Sequence, residues 1–597
     1  MISEGTRVEV RDTSSDGLGV ERRVDGDGQV IPTRRLAGVT VADGLMVLVG
    51  LAAAVARLGG LSALPLSPAE AGPALASWQF TNGIPLTAAV SSPAYFSLTN
   101  LIMGLGVDGD AAARLVPALI GVLTVWLPWL WRGRTHPAVW LTAAIFLAVS
   151  PLQMAVSRTA GGEAIALFAL TLLAVATFRL EEGEWWGAAA GLALGLGLTS
   201  APLFYTGMVA FIPAWWVFGG ARAIERRTWG RLAIAGGLTF VVAAATGLFY
   251  LSGVGAALQL FPAWLAQFGL PVSSGALAVM APVLTLLRYE PALLFLGVPA
   301  AVWVMADDER PGKLFSLWLV LLLPILLLQA EAFQNAVAAI VPGYLLVGLL
   351  AGDLAIGARP RAERRTTWLV AGGLTLLGMV LLVSLSRFTR LGLWSGGEAP
   401  LVGLAVLAFV FAGVAVILAL AWDNAAARRG AFLGVAVLLL YWQWGTGWQL
   451  AHQGANDPRE RWVVAGTDDD MAVLATLLER VSLQAANSNT DLEVFSTVES
   501  PALRWYFRDF GRFTTGPALP LETQAAVLIT ANDAEPRAPN EYFGADFGLV
   551  QRDVPGNEGA RPALAELLRW WLFREASTAS DQERVIVWIR SDLAAER

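Results

Sequence analysis

Long apolar runs separated by short polar turns fill the chain from about residue 36 to residue 450. A helix needs about 20 mostly apolar residues to cross the hydrocarbon core of a bilayer. By that measure the pattern predicts about thirteen spans. They lie near 36–58, 113–131, 137–156, 163–180, 184–200, 203–219, 231–252, 288–305, 314–330, 336–356, 367–386, 400–421 and 430–449. The runs at 184–200 and 203–219 form one apolar stretch broken at Ser200-Ala201-Pro202, which predicts a tight hairpin. Two connections are long, at 59–112 and 252–287, and both are apolar but punctuated by Pro and Gly. Within them, Pro73 to Phe80 and Ala256 to Phe268 have the composition of short amphipathic helices lying in the membrane interface.

The pattern changes at about residue 456. Met471 to Leu483 places Leu474, Leu477, Leu478 and Val481 on one helical stripe. Leu492 to Thr497, Ala525 to Thr530 and Val585 to Ile589 are short β-rich runs. Residues 456–597 therefore predict a soluble α/β domain, within the usual domain size range. The fold class expected is a polytopic α-helical membrane protein with that domain at its C-terminus.

Composition supports the bilayer as the main solvent. Of 597 residues, 56% are hydrophobic and 15% charged, against roughly 25% charged in a soluble domain. A formal charge of −7 leaves no nucleic-acid footprint. The absence of cysteine excludes disulfides, Cys-ligated zinc and thiol catalysis. The two histidines, His136 and His452, are far apart, which argues against a His-rich metal site. An Asp/Glu site for a divalent cation stays open. No Walker sequence and no GxGxxG before a helix occurs, so no nucleotide cofactor is expected. Lys313 is the only lysine, so cationic chemistry here is arginine chemistry.

The arginines also predict orientation. Cytoplasmic loops collect Lys and Arg. With residues 1–35 as a cytoplasmic tail, the inner loops hold Arg34-Arg35, Arg132 and Arg134, and the four arginines between Ala221 and Arg231. Arg310 and Lys313, the run from Arg359 to Arg365, and Arg428-Arg429 follow in the later inner loops. The expectation is a bacterial cytoplasmic membrane protein with its C-terminal domain outside. The first 33 residues mix charges with turn formers and lack a signal-peptide core, which predicts a disordered tail.

Ionisable groups near the outer boundary are the candidate site, because charge at that depth survives when it is paired or used. Glu70 stands in the first turn of a helix opened by Pro68, as a dipole-favoured carboxylate or as a functional one. Arg114 starts the second span; it can snorkel to headgroups or pair with Asp108 and Asp110. Arg158 and Glu163 flank Gly161-Gly162 in an outer turn, where they can pair with each other or hold a phosphate. Arg288 and Glu290 begin the eighth span, and Tyr205, Glu331 and Gln334 fall near outer ends. In the tail, Arg504 to Asp509 is an aromatic-basic cluster that suits sugar stacking or packing on the membrane surface.

Together, several of these segments resemble the GT-C glycosyltransferases that use polyprenyl-phosphate sugars, of the protein-mannosyltransferase and lipid A aminoarabinose-transferase type. The segments are Pro68-Ala69-Glu70-Ala71, Ser92-Pro93-Ala94-Tyr95-Phe96, Arg114 to Gly121, Ser150 to Arg158 and Val341-Pro342-Gly343-Tyr344. The likeness is best from Leu61 to Phe178. The tail, with Asn456 to Glu460 and the Arg504 cluster, resembles a bacterial flippase-activity-associated subgroup. The resemblance implies transfer of a sugar from a polyprenyl-phosphate donor to a glycan, lipid or protein acceptor on the outer face of the membrane. It implies a first-loop carboxylate, here Glu70, that acts as general base on the acceptor hydroxyl or positions it, and arginines, here Arg158 and Arg114, at the phosphate. Glu163, Arg288 and Glu290 complete the expected substrate contacts. The family carries an Asp where this chain has Ala69, and often His-Pro-Pro where it has Ser91-Ser92-Pro93. A non-catalytic protein that keeps the fold and assists lipid-linked glycan handling or flipping is the alternative.

Overall fold

The computed structural model describes residues 20–24, 30–36, 39–218, 225–269, 279–305, 310–355, 361–387, 403–404, 407–408, 410–411, 413–414, 425–520, 523–531, 538–553, 570–574 and 580–594. The expected span at 400–421 falls almost wholly outside these residues. So do residues 1–19 and part of the second long connection, at 270–278.

Before the bundle, β1 (Val20–Val24) and β2 (Val30–Leu36) pair antiparallel, where the sequence predicts a disordered tail, and β2 pairs antiparallel with β3 (Val39–Thr40). The bundle begins with α1 (Val41–Leu58). Thr40 caps it in a reciprocal capping box with Asp43. That end is tied further by Trp129, whose Nε1 donates to Asp43 at 3.2 Å, and by Arg132, paired with Asp43 at 2.8 Å.

The first long connection is not a solvated loop. It folds into α2 (Pro68–Thr81) and α3 (Pro93–Gly104), each opened by a proline in its first turn. Both have buried faces of small and aromatic residues, among them Ala71, Ala74, Leu75, Ala94 and Tyr95. Then come α4 (Gly109–Trp126), α5 (Pro137–Val149), α6 (Pro151–Ser157) and α7 (Glu163–Thr177). A hairpin follows, of α8 (Glu184–Leu198) and α9 (Pro202–Phe218), turning at the predicted Ser200-Ala201-Pro202. Next are α10 (Arg226–Ala244), α11 (Ser252–Leu265), α12 (Ala281–Tyr289), α13 (Val298–Met305) and α14 (Arg310–Leu328). The last are α15 (Ile340–Ala355), α16 (Arg361–Arg387) and α17 (Ala425–Trp448).

Among the described residues, six helices are long and apolar enough to cross a membrane: Val41–Leu58, Gly109–Trp131, Pro311–Leu328, Ala330–Ala355, Arg364–Arg387 and Ala425–Gln453. Two bent pairs bring the number to eight, α5 with α6 at 63° and α12 with the helix from Leu293 to Met305 at 96°. The bends have local causes. Pro151 opens α6 directly after α5, and Pro291 follows Glu290 at the second break. The predicted thirteen counted shorter apolar helices as full spans, among them α7 and α9.

The C-terminal region surrounds a six-stranded mixed sheet in the order β4-β8-β9-β7-β5-β6. The strands are β4 (Ala465–Thr467), β5 (Val494–Ser496), β6 (Phe513–Thr515), β7 (Val527–Thr530), β8 (Tyr542–Asp553) and β9 (Ser580–Arg590). Here β5 lies parallel to β6 and β7, and the remaining pairs are antiparallel. The predicted helix is α18 (Asp470–Ala486), with Met471, Leu474, Leu478 and Val481 buried against the sheet. A short α19 (Pro501–Tyr506) carries the aromatic cluster onto α2, with Ala502 and Trp505 buried among the small residues of α2 and α3.

Candidate functional site

The chain leaves α1 at Gly59 and reaches α2 at Pro68 through an irregular strap. Backbone carbonyls at such a place need partners. Two arginines supply them. Arg114, early in α4, donates from Nη1 to the carbonyls of Leu61 (2.9 Å) and Leu64 (2.7 Å), and from Nη2 to that of Pro65 (3.0 Å). Arg158, at the end of α6, donates from Nε to Ala451 (2.9 Å), from Nη1 to Arg57 (2.9 Å) and Gly59 (2.6 Å), and from Nη2 to Gly60 (3.0 Å). The last turn of α1 thus finds its acceptors satisfied by a cation, as helix C-termini favour.

Glu70 completes this strap. Arg114 grips its two oxygens side-on, Nε to Oε1 and Nη2 to Oε2, both at 2.8 Å. Ser67 donates to Oε2 from its backbone N (2.9 Å) and its hydroxyl (3.0 Å), and the Ala160 N–H donates to Oε1 at 2.9 Å. Five donors meet a group with about four lone-pair sites. The carboxylate is buried, 4% exposed. Burial acts to raise its pKa, but Arg114 and the N–H groups of Ala160 and Ser67 outweigh burial and hold it below the ordinary carboxylate range. The neighbouring Ala69 is exposed.

Glu163 is placed differently. Gly162 packs closely on Ser92 at the start of α3 and on the Ser200 carbonyl of the hairpin turn, leaving no room for a Cβ. Glu163 follows at the first position of α7, partly exposed and folded back toward Gly161. Among the described residues its side chain has neither an ion pair nor a hydrogen bond to another residue. Its expected partner, Arg158, is committed to the strap.

The remaining predicted residues lie elsewhere. Glu290 is fully buried at the 96° bend. It accepts from the Ser150 hydroxyl (2.6 Å), the Leu152 N–H (2.9 Å), Gln443 Nε2 (2.8 Å) and the Tyr344 hydroxyl. Ser150 and Leu152 flank the other bend, so one carboxylate ties both broken spans together. It has no exposure, and each oxygen is engaged by two donors. Arg288 points instead toward the C-terminal region, over the Trp570 ring at 5.4 Å. Glu70, Arg114 and Arg158 thus lie together on the strap, Glu163 beside the start of α3, Glu290 at the bends and Arg288 against Trp570.

Two further pairings escaped sequence reasoning. Asp110, expected to pair with Arg114, accepts from Trp505 Nε1 (2.7 Å) and the Tyr506 hydroxyl (2.8 Å). Trp505 is fully buried, so the aromatic cluster serves packing and not an open sugar platform. Tyr289 donates to Glu460 at 2.5 Å. Neither pair has a signal in sequence, since roughly 170 to 400 residues separate the partners. Among the described residues no three His, Asp or Glu side chains come together as a metal set.

The fold is similar to that of the solved ArnT structures. The structure of ArnT from Cupriavidus metallidurans bound to undecaprenyl phosphate superposes with a TM-score of 0.53 at 16% identity, over 93% of this chain and 100% of that one. The apo ArnT structure gives 0.52 at 15%, over 94% and 100%. The oligosaccharyltransferase AglB from Archaeoglobus fulgidus gives 0.42 at 10%, over 82% and 69%. In sequence, the family model for dolichyl-phosphate-mannose-protein mannosyltransferase matches residues 90–246, which run from α3 through α10. No curated protein matches the chain in sequence.

Proposed function

We propose that the protein is a membrane glycosyltransferase that moves a sugar from a polyprenyl-phosphate donor to an acceptor hydroxyl on the outer face of the cytoplasmic membrane. The observation that carries this reading is the division of labour around the strap. Glu70, Arg114 and Arg158 hold the outer-loop backbone, and Glu163 remains, among the described residues, as a partly exposed carboxylate without a partner beside the start of α3. In the reaction Glu163 accepts the proton of the acceptor hydroxyl. The acceptor oxygen bonds to the anomeric carbon, the carbon–oxygen bond to phosphate breaks, and the polyprenyl phosphate leaves. Glu70 is a positioning residue in this scheme.

A second reading has its own support. Ala69 is exposed where the family carries its Asp, which favours a protein that keeps the fold and assists lipid-linked glycan handling without transfer. One assay separates the two. Purified protein is incubated with a radiolabelled polyprenyl-phosphate sugar, and loss of label from the lipid is followed. Turnover by the wild type, reduced about 100-fold or more in Glu163→Gln with folding intact, is the expected result for a general base. Donor binding without turnover supports the second reading. Full turnover by Glu163→Gln removes Glu163 from the mechanism.

A further inference from the structure

The bend between α5 and α6 frees backbone groups inside the bundle, and each needs a partner there. On the α6 side, the Leu152 N–H and the Ser150 hydroxyl go to Glu290. On the α5 side, the carbonyls go to Arg57, a fully buried residue in the last turn of α1. Its Nη1 donates to the Ala148 carbonyl, and its Nη2 to the carbonyls of Leu147 and Ala148, all at 3.1 Å. Nη1 also reaches back to Ala53, one turn earlier in α1, at 3.3 Å. Nη2 donates in addition to the amide oxygen of Gln153, in α6. The Gln153 amide nitrogen donates onward to the Gly121 carbonyl of α4 at 2.9 Å. A side chain at Gly121 would collide with Ser157 and press on Arg57 Cδ, so α4 lies directly against this cluster.

A cation in the core of a membrane bundle is costly, and it persists where it is used. The acceptors of Arg57 suit it: carbonyls at a helix C-terminus carry partial negative charge, and a planar fork can span several of them at once. The same residue acts at the other end of α6. Its backbone carbonyl accepts from Arg158 Nη1 at 2.9 Å, and Arg158 directly follows the last residue of α6. Just beyond, the Ala160 N–H is held by Glu70 at 2.9 Å. Gly161, Gly162 and Glu163 come next in the chain. Helix α6 is therefore a short rod fixed at both ends, and it carries the turn that presents Glu163.

We propose that Arg57 is a positioning residue for Glu163. It fixes the start of α6 against the end of α5 through Gln153 and the backbone, and so sets where the Glu163 carboxylate stands. The proposal rests on the reading of Glu163 as the base in glycosyl transfer. A reacting group misplaced by about 1 Å can lose roughly 100-fold in rate. The effect of Arg57 therefore falls on the chemical step and not on donor binding.

Full-length Arg57→Met, Arg57→Lys and Gln153→Met are compared with wild type in detergent, with folding checked by thermal melting. Gln153→Met removes only the link to α6, and it decides the matter where Arg57→Met does not fold. Turnover of labelled polyprenyl-phosphate sugar is measured beside hydrogen exchange across residues 158–163. The expected result is a kcat lower by roughly tenfold or more in both Met variants, with the donor KM within about twofold of wild type. Exchange at 158–163 is faster in both, with β7 and β9 unchanged. Arg57→Lys, which keeps the charge and loses the fork, falls between them and wild type. A folded Gln153→Met with unchanged kcat, or with a raised KM at constant kcat, overturns the proposal. If the wild type shows no turnover, or Glu163→Gln keeps it in full, the base assignment fails and exchange alone decides. Faster exchange at 158–163 in Gln153→Met then upholds the hold of Arg57 on this turn, and unchanged exchange overturns it.

Discussion

Two adjacent positions in the first long connection, Ala69 and Glu70, face opposite ways. Glu70 points inward and is anchored by five donors, while Ala69 points outward with no functional group. Breaking a buried ion pair by removing one partner costs roughly 3–5 kcal/mol, because the other charge stays buried. Glu70→Gln is expected to lower the melting temperature in detergent, and Arg114→Ala more so. The pH dependence has a definite sign. The folded pKa of Glu70 lies below its unfolded value of about 4.3. Its stabilisation is therefore complete at neutral pH and is lost only as pH falls below about 4. Thermal melting between pH 3 and 7 checks this: Glu70→Gln flattens the acid limb, and an unchanged limb contradicts the anchor role. Ala69→Asp restores a carboxylate on the exposed side of α2. If the chain lacks transfer because it lacks that group, labelled donor turnover rises in this variant above wild type.

Among the elements, helix contact is set by small residues. Gly187, Gly191 and Gly195 form a stripe of one residue per turn on α8, facing Thr228, Leu232 and Gly236 on α10. A side chain at Gly191 would collide with the Leu232 carbonyl, and one at Gly195 with the Gly236 carbonyl. Packing of this kind drives association in lipid, where burial of apolar area gives little advantage. Gly191→Leu is expected to separate α8 from α10 and lower the melting temperature, while Gly237→Leu, whose Cβ meets nothing, is tolerated. Equal melting temperatures for the two variants would remove the stripe from the account. The same scale explains the bends. Prolines mark them in sequence, but Glu290 holds both in place through donors from Ser150, Leu152, Tyr344 and Gln443.

Across the whole molecule, the C-terminal region is joined to the first long connection by a small set of polar contacts. Trp505 and Tyr506 both bond Asp110, the Leu66 N–H donates to Tyr506, and the Thr467 hydroxyl donates to the Leu66 carbonyl at 2.6 Å. Arg508 lies over Trp505 at 4.1 Å and over Trp78 at 6.0 Å. Because Asp110 accepts two of these bonds, Asp110→Ala leaves two buried donors unpaired, at roughly 1–3 kcal/mol each. Faster hydrogen exchange in α19 and in α2, without change in the sheet strands, is the expected consequence. Unchanged exchange in α19 would show that the region is held by apolar contact alone.

Much of the architecture follows from the chain's periodicity. Apolar runs of spanning length, prolines at helix starts and the Ser200-Ala201-Pro202 turn each act through local physics, so the helices appear near the predicted places. The stripe on α18 and the cores of β5, β7 and β9 were legible for the same reason. The strand β8, at Tyr542 to Asp553, was missed, because its glycines and charges interrupt the alternation that marks a strand. The candidate site was less legible. Sequence identified Glu70, Arg114, Arg158 and Glu163 as charges near one boundary, which is a statement about depth and cost. It did not determine their partners. Only the tertiary structure decided that Arg114 takes Glu70, that Arg158 takes backbone carbonyls from α1 and from Ala451, and that Glu163 is left over. The physical reason is distance along the chain. Hydrophobic thickness and helix period are set residue by residue, whereas an arginine's acceptors come from segments 44 to 293 residues away. Those contacts exist only once the bundle has closed.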